Sequence, residues 1–185
     1  MKSSILFVCS TISLVLACAA PSKRGMAATS DSTSGMALVS ASFSAGETIP
    51  IRYSLYGENL TPDLTWDKAP EGAKSFALIC RDPDAPGGTF IHWVLFNIPE
   101  NVKGLPEGLG REPTLSFGGI QGTNSFRRVG YDGPKPPTGI HRYYFDLYAL
   151  DGMLDLDRTT TAGRLQQAMK GHVLAQASLM GKYKK

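Results

Sequence analysis

Between two apolar runs, Phe76 to Cys80 and Val94 to Ile98, the chain reads Asp82-Pro83-Asp84-Ala85-Pro86-Gly87-Gly88-Thr89-Phe90-Ile91-His92-Trp93. The two prolines constrain the fold most. Proline has no amide to donate and pushes the preceding residue into extended or turn geometry, so strand pairing cannot continue through this segment. The first apolar run must therefore leave its sheet here, and the two acids project from a stiff loop at a sheet end, where binding sites are commonly built. A second stretch, Gly133-Pro134-Lys135-Pro136-Pro137-Thr138-Gly139-Ile140-His141-Arg142-Tyr143, repeats the pattern of a rigid Pro/Gly loop followed by a histidine entering a strand. We read the two stretches as halves of one pocket.

The first residues are read as a leader rather than as fold. Lys2 supplies a positive start, Ile5 to Ala17 is a mostly apolar run, and Leu14-Val15-Leu16-Ala17-Cys18 ends on a small residue before cysteine. This resembles a bacterial lipoprotein signal, with residues 1–17 removed and Cys18 lipidated; an ordinary secretory signal is the alternative. The run falls short of the roughly 18 to 20 apolar residues that a membrane-spanning helix needs. Residues 18–35, rich in Ser, Thr, Ala and Gly, suit a flexible tether. Localisation is then the bacterial cell envelope, on a lipid anchor; Ala19 after the cysteine lacks the aspartate that favours inner-membrane retention in similar lipoproteins, which points to the outer membrane.

Residues 36–185 are enough for one domain with a sizeable core. The formal net charge is +3, and losing the leader removes only Lys2, so nothing implies a nucleic-acid partner. Of the three cysteines, Cys9 falls in the leader and Cys18 at its end. Cys80 is left alone in a strand pattern, read as a small buried hydrophobe with no disulfide framework.

Met36 to Phe43 and Ile49 to Leu55 read as strands, the second with Ile49, Ile51, Tyr53 and Leu55 alternating on one face. Leu64 to Trp66 is short and extended, and Phe76, Leu78 and Cys80 alternate again. Phe90 to Ile98 is near-continuously apolar, as in a central strand buried on both sides. Pro99 to Thr123 shows no sustained period and reads as a long connection. In the strand from Ile140, His141, Tyr143, Phe145, Leu147 and Ala149 share one face. Thr161 can cap a helix carrying Leu165, Ala168 and Met169, with Gly171 as its left-handed stop. Even spacing of Val173, Ala175, Ala177, Leu179 and Tyr183 predicts a final strand. The expected fold is a mostly β sandwich.

His92 and His141 both follow Pro/Gly loops, and Asp82 and Asp84 share the first loop. A neutral or protonated imidazole held by a carboxylate is a directional donor, and two such donors converging beside Tyr143 would bind a small anion such as phosphate or carboxylate. Gly133 and Gly139 would let the backbone approach a ligand. The plainer alternatives are a hydrogen-bonded core histidine at His92 and an Asx-type turn at Asp82. His172, after the helix stop, reads as structural. A metal site from His92, His141 and Asp82 finds no His-x-His or His-Glu-x-x-His spacing to support it. Acyl transfer lacks a Gly-x-Ser-x-Gly elbow. No metal and no cofactor are expected.

Asp82-Pro-Asp-Ala-Pro86, His92-Trp93, Gly133-Pro134 and Gly139-Ile-His-Arg-Tyr143 together resemble the phosphatidylethanolamine-binding protein family, in its prokaryotic Raf-kinase-inhibitor-like branch. Pro62-x-Leu64-x-Trp66, Gly171-His-Val-Leu-Ala and Gly181-x-Tyr183 extend the resemblance over roughly Leu38 to Tyr183. It implies a β-sandwich of two antiparallel sheets with peripheral helices and a small-anion pocket at the end of the central sheet. By position the ligand-binding residues would be Asp82, His92, Gly133, Pro134, His141 and Tyr143, with Asp84 and Pro86 shaping the loop. It further implies binding rather than catalysis, a homodimer, and either capture of a phosphate-type head group or inhibition of a kinase-like or protease partner. A phosphoester hydrolase using Asp82 and His141 is a third expectation. Three positions depart from similar prokaryotic chains: Lys135 in place of a common cysteine, Asp132 in place of a smaller residue, and Arg127 in place of a common glycine. Lys135 and Arg127 are expected at the solvated surface.

Overall fold

The computed structural model describes residues 35–185. The expected leader over 1–17, the lipidation site Cys18 and all of the tether but Gly35 lie outside the described residues.

In chain order the strands are β1 (Ala37–Val39), β2 (Leu64–Asp67), β3 (Ser75–Asp82), β4 (Phe90–Pro99), β5 (Gly104–Leu105), β6 (Ile120–Gln121), β7 (Ile140–Leu150) and β8 (Val173–Lys184), with helix α1 (Ala162–Ala168) before the last. They form a three-stranded sheet, β1-β2-β5, and a five-stranded sheet, β6-β4-β3-β7-β8. Every pairing between these strands is antiparallel. This is the two-sheet, mostly β architecture expected from the alternating patterns. Where peripheral helices were expected, α1 is the single α-helix among the described residues, joined by a one-turn 3-10 helix at Ile51–Tyr53.

The large sheet is covered on both faces, which explains why β4 is apolar almost throughout. One face packs Phe76, Leu78, Trp93, Leu95, Phe145 and Leu147 against Leu38, Leu64 and Trp66 of the small sheet. The other face sets Ala77, Ile79, Val94 and Phe96 against Leu165 and Met169 from α1. Burying a side chain such as Phe96 or Phe145 contributes about 1.5–3 kcal/mol by transfer from water. Thr161 caps α1 by accepting from the Arg164 amide, and Gly171 turns the chain at φ +83°.

The expected strand over Ile49–Leu55 is a correction. Pro50 opens a 3-10 turn in which the Tyr53 amide donates to the Pro50 carbonyl and the Ser54 amide to the Ile51 carbonyl. Ile51 consequently stands 62% exposed while Ile49 and Tyr53 are buried, so the alternation does not mark one face. The expected strand over Met36 to Phe43 is ordered as strand only over β1. The long connection after β4 is stitched down by β5 and β6. Among the described residues no helix is long and apolar enough to cross a membrane.

Candidate functional site

Antiparallel order brings the C-terminal end of β3 and the N-terminal ends of β4 and β7 to one end of the large sheet. Asp82 is the last residue of β3, His92 the third of β4, and His141 and Tyr143 the second and fourth of β7. The two proline loops cover this end. Between them lies a cavity of about 230 Å³ lined by Asp82, Ala85, Pro86, Phe90, His92, Phe126, Lys135, Pro137 and His141.

Each histidine is held from behind through Nδ1. His141 Nδ1 lies 2.7 Å from Asp82 Oδ2. Asp82 Oδ1 accepts from the Asp84 amide at 2.8 Å, so one carboxylate closes the Asx turn and orients the imidazole at once. His92 Nδ1 lies 2.6 Å from the Asp132 carbonyl, and the Asp132 amide donates back to the His92 carbonyl at 3.0 Å. Burial holds the His92 pKa below its ordinary value, although the Asp132 carbonyl and the charges of Asp82 and Asp132 pull the other way. Tyr143 is fully buried under the site, packed edge-on to His92 with ring centroids 5.1 Å apart. Its hydroxyl makes no well-formed hydrogen bond, although the Asp82 carboxylate and the Lys135 backbone lie near it, and burial, followed by the Asp82 charge, pushes its pKa up.

Asp84 does not line the cavity. Its carboxylate grips Arg142 in a fork, with Nη2 donating to Oδ1 at 2.6 Å and Nε to Oδ2 at 2.9 Å, and also accepts the Arg142 amide. The hydrogen-bonded guanidinium holds the Asp84 carboxyl down at about 2. The acid thus ties the loop after β3 to β7 and fixes the cavity wall that carries Pro86. Gly133 and Pro134 also stand behind the cavity. A Cβ on Gly133 would sit 2.0 Å from the Tyr53 carbonyl oxygen, so this glycine permits backbone packing. Its amide donates to Asn59 Oδ1, and the Pro134 carbonyl accepts from the Leu55 amide. Gly139 sits in the open at φ +71°.

The structure also places the three positions at which the sequence was read as departing from the resemblance. Asp132 is fully buried, paired with Arg111 at 3.1 Å and Arg128 at 2.8 Å, and accepts from Asn124 Nδ2 at 2.7 Å. A buried carboxylate is tolerated only with such partners. Lys135 is solvent-exposed, as expected, and also lines the cavity. Arg127 is exposed, stands at φ +61° and lines a different depression near Thr161, so it adds no charge to this cavity.

The walls Ala85, Phe90, Phe126 and Pro137 were not singled out from sequence. Phe90 had a signal, because it stands two residues before His92 in one strand and so shares its face. Phe126 had none. Cys80 is buried at 1% exposure, and burial raises its thiol pKa well above the ordinary value, so it stays a protonated hydrophobe. His172 pairs with Asp151 at 2.8 Å on the exposed side of the fold.

The model of the phosphatidylethanolamine-binding protein family matches residues 39–184. A UPF0098 protein of Methanothermobacter thermautotrophicus is 50% identical over 137 residues, covering 74% of this chain and 91% of the relative. One from Aquifex aeolicus is 44% identical over 153 residues, covering 81% and 89%. Among solved structures, E. coli YbcL, described as a member of the mammalian PEBP family, superposes with a TM-score of 0.77 at 32% identity, covering 81% of this chain and 98% of that one. A PEBP homologue from Chlamydia trachomatis gives 0.75 at 41% identity, covering 81% and 97%.

Proposed function

Because the chain belongs to the phosphatidylethanolamine-binding protein family, a family of binding proteins, we propose that its cavity captures a small oxyanion, the phosphate of a head group or a carboxylate. One observation carries this reading: His92 and His141 both spend Nδ1 on a fixed acceptor and both line the same cavity. Each ring thereby keeps Nε2 for an occupant. Lys135, exposed, supplies a positive charge to the cavity lining, beside the apolar walls Phe90, Phe126, Pro86 and Pro137. Hydrogen bonds to a charged group contribute about 1.5–3 kcal/mol each where the occupant is desolvated. Binding without turnover is the preferred reading, since Cys80 is buried away from the cavity and His141 faces no hydroxyl nucleophile among the lining residues.

The test is calorimetric titration with phosphate, phosphoethanolamine and acetate, comparing the wild type with His141→Ala. Saturable binding lost in a folded variant is expected. Equal binding by the variant would remove His141 from the site. Envelope anchoring belongs to the same proposal and rests on Leu14-Val15-Leu16-Ala17-Cys18. Metabolic labelling with palmitate should mark the wild type and not Cys18→Ser, and an unlabelled wild type would overturn it.

A further inference from the structure

The backbone that walls the histidine cavity has a second face. Ile91 and Ser125 run side by side, the Ser125 amide donating to the Ile91 carbonyl and the Ile91 amide to Ser125 Oγ, both at 2.9 Å. Side chains on extended backbone point alternately to opposite sides. Phe90, His92 and Phe126 accordingly line the first cavity, while Ile91, Ser125 and Arg127 line a separate one of about 270 Å³, together with Thr123, Asn124 and residues 161–163. The Asn124 amide is fully spent, its Oδ1 accepting the Phe126 and Arg128 amides and its Nδ2 donating to the Gly130 carbonyl and to Asp132. Ser125 Oγ and Thr161 Oγ1 each accept from a backbone amide, which leaves each hydroxyl proton to donate. Arg127 adds a guanidinium with no acid or carbonyl partner among the described residues. On the flanking segment, Asp157 accepts from Thr159 and feels the charges of Arg164 and Arg158. Arg127 keeps its place at φ +61°, a left-handed backbone that a Cβ makes costly and that glycine would adopt freely. Such strain persists where the surrounding structure enforces it, commonly at ligand sites.

We propose that this second cavity is a separate oxyanion site, in which Arg127 holds a small carboxylate or phosphate group and the Ser125 and Thr161 hydroxyls donate to it. It lies across the β4 backbone from the histidine cavity and stands on different residues, so it does not depend on the reading given above. The free polar groups of the lining are donors and no acid lines the cavity, so a fully ionised group satisfies them. The attracting charge is that of Arg127 rather than of α1, whose seven residues make only about two turns. Because Arg127 is exposed, the site binds weakly, at about millimolar. Occupancy at that strength is below what calorimetry on the histidine cavity registers, and a residue-resolved readout is needed.

The test is backbone amide NMR of the protein during titration with inorganic phosphate at low ionic strength, where screening is weakest. The wild type is compared with His141→Ala and Arg127→Gly. The Ser125 and Thr161 amides should follow a saturation curve in the wild type and the same curve in His141→Ala. In Arg127→Gly the affinity they report should fall about fivefold, the upper worth of one exposed ion pair. Glycine suits φ +61°, so this variant should melt no lower than the wild type in anion-free buffer, and weakened binding then reports the side chain rather than the fold. Unmoved Ser125 and Thr161 amides in the wild type, or an unchanged curve in Arg127→Gly, would overturn the inference. A curve lost in His141→Ala would overturn it too, because those amides would then be reporting the histidine cavity through the shared wall.

Discussion

His92 carries a consequence for stability that is separate from ligand binding. Its folded pKa lies below its unfolded value of 6.5 because burial disfavours the imidazolium. The unfolded chain therefore takes up a proton before the folded one does. The stabilising contribution is complete above about pH 6.5 and declines as pH falls from there toward the depressed folded pKa, at up to about 1.4 kcal/mol per pH unit for one proton. Denaturant melts of the wild type and His92→Gln across this window should converge as the pH falls. Parallel curves would contradict the assignment. Asp84 acts at the other end of the scale, since its contribution is present above the unfolded carboxyl value of 3.8 and is lost as pH falls toward about 2. At this scale the sequence exposed Asp82, His92 and His141 through their placement beside proline loops. It gave Asp132 no structural role, because Arg128 lies only four residues away but Arg111 is 21 residues upstream in a stretch with no periodic pattern.

The strands that build the site were legible because a half-buried or fully buried strand leaves a period in its side chains. β3, β4, β7 and β8 all follow their alternation or apolar run. Ile49 to Leu55 shows where that signal fails, because Pro50 starts a turn whose three residues carry alternate apolar side chains without sharing a face. The two glycines of the second loop separate packing from backbone freedom. In Gly133→Ala the new methyl meets the Tyr53 carbonyl, a backbone atom that cannot swing aside, and the 3-10 turn must part from the loop. In Gly139→Ala the methyl meets nothing, and only the left-handed backbone at φ +71° is strained, at a cost of about 1–2 kcal/mol. Thermal melts should rank Gly133→Ala well below Gly139→Ala. The reverse order would mean that the Tyr53 contact is easily relaxed.

At the scale of the described domain, three layers cover the faces of the large sheet and leave its ends open for function. The small sheet covers one face of the large sheet and α1 lies on the other, so ionisable side chains from β3, β4 and β7 can meet a common cavity only where the strands stop. Asp84 gripping Arg142 and Asp132 holding Arg111 and Arg128 lock the two covering loops to the scaffold. This locking, absent from any sequence period, is what turns two Pro/Gly stretches into walls of one pocket. The protein's three histidines allow a direct test, because two stand at the proposed site and His172, paired with Asp151, does not. The measurement is the ring nitrogen NMR spectrum of all three during a phosphate titration near pH 7. The account predicts Nδ1-protonated rings at His92 and His141 in the free protein, both shifting along one saturation curve while His172 stays in place. Unmoved pocket signals, or a His172 that titrates with them, would contradict it.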